Sequence, residues 1–406
     1  MSLRRYFVIS SLIATIAIPA CGGDDSASTA SDAPTTESST TETPATEAPT
    51  TTLDPAVEAM MYTEAGPYPV GVTSLELAEG NKVEVWYPAI EGTTGTDIYN
   101  MRDFVPEAIS ALLTADVPAV YEYPAGRDAG AASGTFPVVL FSHGASGIRF
   151  QSTFLTSHLA SWGIIVAAPD HWSRDLFHTL SAPVGDRSSS VTELLATLDL
   201  ITAENVRPGS RIEGIVDAER VVAMGHSAGG GTILAAALDD RIDGYISLAS
   251  GVLGMGGSDA TTIAPPTFVN KPSFFIAGAL DAIISAEEST RPSFEAVPGP
   301  SRLWIIDGVG HNGFDDFCTF GNGSGIIGVA IASGLGPLLE GMGNLKRLGE
   351  DGCLPPAQPV DLGFPIIRHA VMAQLRFWFG DDPSPMGLDA DVAAQYELAV
   401  TIESKD

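Results

Sequence analysis

Apolar positions along the chain fall into three regimes. Residues 6–18 form a largely apolar run behind Arg4 and Arg5, and residues 22–52 contain no large apolar side chain at all. After that the pattern is that of a folded protein. Residues 72–77 and 83–87 cluster β-formers around Glu79-Gly80-Asn81-Lys82, which predicts an opening hairpin closed off by Pro88. Residues 91–135 are rich in Gly, Ala, Pro and Asp, with a single predicted helix near 106–113. An irregular insertion of that length points to a wall or cap over a site. From residue 136 short, wholly apolar runs alternate with helical patterns. Strands are predicted at 138–141, 164–168, 221–224, 245–248, 274–277 and 303–306, and helices at 151–162, at 188–205, directly after Ser227, and at 365–379. Continuous apolar strands separated by helices imply a mostly parallel sheet covered on both faces, with its site beyond the carboxyl ends of the strands.

The N-terminal regimes stand apart from that fold. The run at 6–18 is too short to span a bilayer comfortably, and it ends in Ile18-Pro19-Ala20-Cys21. This resembles a bacterial lipoprotein signal, in which the cysteine becomes the lipidated first residue; an ordinary secretory signal is the alternative. Residues 22–52, built of Ser, Thr, Ala, Pro, Glu, Asp and Gly, bury too little surface to offset their ordering entropy and read as a disordered tether. The expected division is a signal at 1–20, a tether at 21–55, a catalytic domain at 56–380 with insertions at 91–135 and 315–363, and a tail at 381–406. An exported enzyme follows from that arrangement.

Composition narrows the partners. Apolar residues make up 45% of the 406, ample for a core, while 50 acidic against 20 basic residues leave a formal charge of −30. That charge argues against nucleic acid and against an anionic membrane surface, so membrane contact is expected only through a lipid at Cys21. With Cys21 used by the signal, Cys318 and Cys353 remain, and in an exported domain a disulfide between them is expected. A metal site is not expected, since two cysteines have no histidine at ligand spacing.

The strand ends supply the candidate chemistry. In VVAMGHSAGGG, residues 221–231, a β-branched run breaks at Gly225, carries Ser227 at the break and continues into a helix. Gly225 and Gly229 leave room for backbone to pass close, and the helix aims free N–H groups at the serine. A serine hydroxyl needs a base to take its proton, and a carboxylate to orient that base. Asp281 follows the strand at 274–277 and His311 follows the strand at 303–306, giving the order Ser227, Asp281, His311. Asp307 is the rival acid, poorly placed on the same loop as His311. The oxyanion of acyl transfer would be held by the backbone N–H of Ala228 and by the turn after 138–141, where His143-Gly144 is followed by Ala145. His143 and His226 read as packing residues, and His171 with Trp172 as candidates to line the pocket.

On the strength of VEVWYPA (83–89), VVLFSHGASG (138–147), HLASWGIIVAAPDH (158–171), GHSAGG (225–230), GALD (278–281) and GVGHNGF (308–314), the chain resembles the α/β-hydrolase superfamily. Within it, the chain is similar to bacterial platelet-activating factor acetylhydrolase-like, dienelactone hydrolase-like and cutinase-like polyester hydrolases. The resemblance implies an esterase with Ser227 as nucleophile, Asp281 as acid, His311 as base and the amides of Ala145 and Ala228 as oxyanion hole, with no metal or organic cofactor. It also leads to short-to-medium acyl esters, small or polymeric, as substrates. Two other readings remain: a peptidase or amidase with the same triad, and a binding lipoprotein on the same fold. The segment 315–363, with a Gly-rich run at 321–343 and both spare cysteines, reads as a lid or platform braced by the disulfide.

Overall fold

A computed structural model describes residues 53–114, 116–181, 189–251 and 268–406. The expected signal, Cys21 and nearly all of the expected tether lie outside the described residues. In chain order the strands are β1 (Val70–Glu76), β2 (Lys82–Pro88), β3 (Thr96–Asn100), β4 (Val120–Pro124), β5 (Gly126–Arg127), β6 (Phe136–Ser142), β7 (Ile165–Pro169), β8 (Val216–His226), β9 (Gly244–Leu248), β10 (Ser273–Gly278), β11 (Ser301–Ile306) and β12 (Val400–Lys405). Among the described residues a ten-stranded sheet runs β12-β11-β10-β9-β8-β6-β7-β2-β1-β5, and β3 with β4 makes a separate pair.

The strands from β7 to β11 across the sheet are mutually parallel, whereas β1–β2, β2–β7 and β11–β12 are antiparallel. Alternation along a strand separates the two faces. Val139 and Phe141 of β6, with Val222 and Met224 of β8, face one core; it is covered by the helices Thr153–Ser161 and Val360–Trp378. Val138 and Leu140, with Val221 and Ala223, face the other, under Ser189–Asn205 and Ala228–Ala236. With a core on each side, these strands carry no polar face, which is why their sequences read as continuous apolar runs. This is an α/β-hydrolase fold, as the strand and helix order suggested.

Two expectations are corrected. The 381–406 segment is not a tail: β12 pairs antiparallel with β11 from Ser301↔Lys405 to Ile306↔Val400 and extends the sheet. Only Val400 and Ile402 of this edge strand pack on the core, so its short apolar signal is diluted by Glu403, Ser404 and Lys405. The 91–135 segment is more regular than its composition implied, since β3 and β4 form a hairpin within it. The expected helix near 106–113 is a single turn, Glu107–Ser110.

The 315–363 segment folds into short helices, Gly325–Ala332, Gly336–Gly341 and Gly343–Glu350. Cys318 and Cys353 are bonded across 35 residues and tie both ends of this excursion together. A cross-link over a loop of that length mainly restricts the unfolded chain, so reduction should lower stability by about 2–4 kcal/mol. Denaturant unfolding with and without reductant measures it, and Cys318→Ser should match the reduced protein.

Candidate active site

Ser227 sits between the end of β8 and the helix Ala228–Ala236 with φ 54° and ψ −120°, a left-handed conformation that a non-glycine residue adopts only under constraint. The constraint is the close passage of three backbones. A Cβ on Gly229 would lie 1.9 Å from the Ser142 carbonyl oxygen of β6, and one on Gly225 would lie 2.5 Å from that of Gly229. The Ser227 N–H donates to the Leu248 carbonyl at the end of β9 (2.9 Å), and the Ser250 hydroxyl donates to the Ser227 carbonyl (2.7 Å). The turn is therefore pinned from β6 and from the end of β9.

The three residues picked out at strand ends are brought together. His311, in the turn His311–Phe314 beyond β11, has Nε2 2.9 Å from Ser227 Oγ and Nδ1 2.8 Å from Asp281 Oδ2. All three side chains are buried. Asp281 Oδ1 accepts the Ile283 and Ile284 N–H groups at 2.8 and 2.7 Å, which fixes the carboxylate and leaves Oδ2 for the ring. Because that carboxylate accepts, the ring proton sits on Nδ1 and Nε2 is left to accept from the Ser227 hydroxyl. Asp307 is exposed, and its backbone N–H donates to Ala399 at the start of the edge strand.

The two alanines lie where backbone donors are useful. Ala228 is the first helical residue, so its N–H has no carbonyl within the helix to pair with. Ala145 shares a pocket wall with Ser227 and His311. Behind them runs a chain of neutral donors and acceptors: the Gly144 N–H donates to Gln151 Oε1 (3.0 Å), Gln151 Nε2 donates to His226 Nδ1, and His226 Nε2 donates to the His311 carbonyl (3.1 Å). His143 accepts the His171 N–H on Nε2 (3.0 Å) and donates from Nδ1 to the Gly144 carbonyl (2.8 Å). Burial, the largest influence, holds His143, His171 and His226 well below the ordinary imidazole range, so these rings are uncharged links.

The pocket expectation for His171 and Trp172 is corrected. His171 is fully buried beneath the strand ends, bonded to Ser142 Oγ (2.9 Å) and Glu193 Oε2 (2.7 Å). Trp172 is 42% exposed and lines a separate surface depression with Arg149, Asp170 and His178. Both follow β7, and a strand-end rule alone does not say which way a side chain points.

Three residues that matter here were not singled out from the sequence. Gln151 is one. Asp351 is another: its Oδ1 accepts the His311 N–H (2.7 Å), its Oδ2 accepts the Ala282 N–H (3.1 Å), and its carbonyl accepts from Asn312. It thus clamps the loop carrying the base to the loop carrying the acid. Asp315, fully buried in the wall of the Ser227 pocket, is held well above the usual carboxylate range by burial. The proximity of Asp351 to Cys353 was the available signal, since a disulfide places 351–353 beside the chain just after His311. The same pocket is closed on its apolar side by Leu176, Phe317, Ile326, Leu345 and Leu348. Segment 315–363 is therefore part of the site wall.

The model of a protein family described as PETase, PET hydrolase-like, matches residues 119–331, just over half of the chain. The chain belongs to the PET hydrolase-like family. Among curated relatives, this PET hydrolase-like protein is 27% identical to cutinase est2 of Thermobifida alba over 180 residues, covering 44% of this chain and 53% of that one. It is 28% identical to chlorophyllase-1, chloroplastic, of Citrus sinensis over 158 residues, covering 39% and 42%. The match thus spans about half the length of these relatives. A solved ferulic acid esterase from Streptomyces cinnamoneus superposes with a TM-score of 0.56 at 21% identity, covering 82% of this chain and 96% of that one, a likeness of fold.

The geometry ranks the two acids. Asp281→Asn should cut turnover of p-nitrophenyl acetate by up to about 10⁴-fold through loss of the correct tautomer, with Asp307→Asn near wild type; the reverse order would move the acid to Asp307. Asp351→Ala should lower kcat on the order of tenfold with little change in KM, because it positions His311 and touches no substrate.

Proposed function

We propose that this PET hydrolase-like chain is a serine ester hydrolase acting on short-to-medium acyl esters of small molecules, lipids or polyesters. The observation that carries the reading is the unbroken pair of hydrogen bonds from Ser227 Oγ through His311 to Asp281. Its cutinase relatives, and a family described by PET hydrolysis, support an ester as the bond cleaved. Ser227 Oγ attacks the ester carbonyl as His311 Nε2 takes its proton, and Asp281 steadies the resulting imidazolium. The N–H groups of Ala145 and Ala228 hold the oxyanion, each such donor being worth about 3 kcal/mol of barrier. His311 returns the proton to the leaving alcohol, and water, activated by the same ring, releases the acid. The disulfide supports export, because such bonds persist in oxidising compartments; a lipid on Cys21 belongs to the same proposal.

A fluorophosphonate probe should label the wild type and fail to label Ser227→Ala, and that variant and His311→Ala should each lose several orders of magnitude in p-nitrophenyl acetate turnover. Labelling of Ser227→Ala, or turnover preserved in it, overturns the reading. Faster cleavage of a matched p-nitroanilide than of the ester would favour the amidase alternative.

A further inference from the structure

The serine pocket shares part of its wall with a second hollow. Leu176, Ile326 and Leu345 line both it and this second cavity, of about 90 Å³. That cavity lies between the two insertions: Val105 and Ile109 contribute from one, Ile326, Leu339 and Leu345 from the other. Every side chain around it is aliphatic or Met, without a polar group and without an aromatic ring. The rings of this part of the molecule are instead packed on one another, Tyr99 stacked on Tyr121 and Phe150, with Phe320 tilted against both tyrosines. A hollow lined this uniformly between two chain segments suits an apolar guest that is narrow and flexible.

We propose that this cavity is the acyl subsite and that it takes the flexible aliphatic chain of a medium-length acyl ester, in preference to an aromatic acyl group. The proposal rests on the serine hydrolase reading given above and refines its substrate. Leu176, Ile326 and Leu345 stand between the two hollows, so rotation of these side chains would open an apolar path away from water for an acyl chain on Ser227. An aromatic acid would enter a lining with no ring to stack against and, being rigid, would have to follow a path bounded by branched side chains. A polymethylene chain adjusts its torsions to such a path. Each methylene removed from water is worth about 0.8 kcal/mol, or about fourfold in kcat/KM.

The test is a p-nitrophenyl ester series from acetate to myristate, with benzoate for comparison, on the full chain. The value of kcat/KM should climb about fourfold per methylene over the chain lengths that enter, and benzoate should fall well below octanoate. In Leu339→Trp, and separately in Ile109→Trp from the opposite wall, the decanoate-to-acetate ratio should collapse toward one; taking a ratio removes any general loss of active protein. A flat series, a benzoate preference, or ratios unchanged in both folded variants would overturn the acyl subsite while leaving the hydrolase reading intact. Absence of acetate hydrolysis in the wild type would instead strike at that reading itself. Faster attack on an aromatic polyester film than on an emulsified medium-chain triglyceride would also overturn the aliphatic assignment.

Discussion

The backbone crossing at Gly229 and Ser142 is the constraint on which the site depends. Two segments meet there with no room for even a methyl group. That contact brings the helix Ala228–Ala236 hard against the end of β6, and the chain between strand and helix has to reverse within one residue. Ser227 takes up the reversal at positive φ, a cost of order 1–3 kcal/mol carried by the surrounding sheet. The hydroxyl then stands clear of its own backbone, the first helical amide faces the same point, and the turn bearing Ala145 lies alongside. Ser227 and the two backbone N–H groups proposed as anion donors thus share a single origin.

The base is held by different means. His311 lies on a loop, and loops are the mobile part of such folds. Here the loop is fastened from below by the His226 side chain at the His311 carbonyl and from the side by Asp351 at the His311 amide. Because His226, His143 and His171 are uncharged in burial, they add donors and acceptors without placing a cation near the imidazolium that the reaction would form. In the same layer the buried Arg174 donates to Ser142 Oγ and to the His143 carbonyl, tying the end of β6 in place.

Much of this was legible in the sequence, for a physical reason. A parallel strand buried on both faces must be apolar throughout, and the residue that follows it must turn toward the site edge, so β8, β10 and β11 announced Ser227, Asp281 and His311. The same logic failed at β7, where Asp170, His171 and Trp172 follow an equally clear strand yet point under or away from the pocket; position at a strand end says nothing of direction. Edge strands are the opposite case. β12 is half-exposed and two-thirds polar, so its pairing with β11 had no pattern to reveal it. Gln151 and Asp351 were invisible because their partners, the His226 ring for one and the His311 and Ala282 amides for the other, are distant in sequence, and any Gln or Asp looks alike until the fold sets its neighbours.

The bond between Cys318 and Cys353 joins the chain seven residues beyond the base to the chain two residues beyond Asp351, on the far side of the helices that wall the aliphatic cavity. Roof and imidazole are consequently moored to one post. A cover that swung away wholesale, as a hinged flap does, would drag the clamp off the histidine and disarm the serine. On the acyl-subsite proposal, admission of a greasy tail would come from rearrangement of side chains and short helices between fixed ends, leaving the Ser227–His311–Asp281 hydrogen bonds standing while the guest threads in.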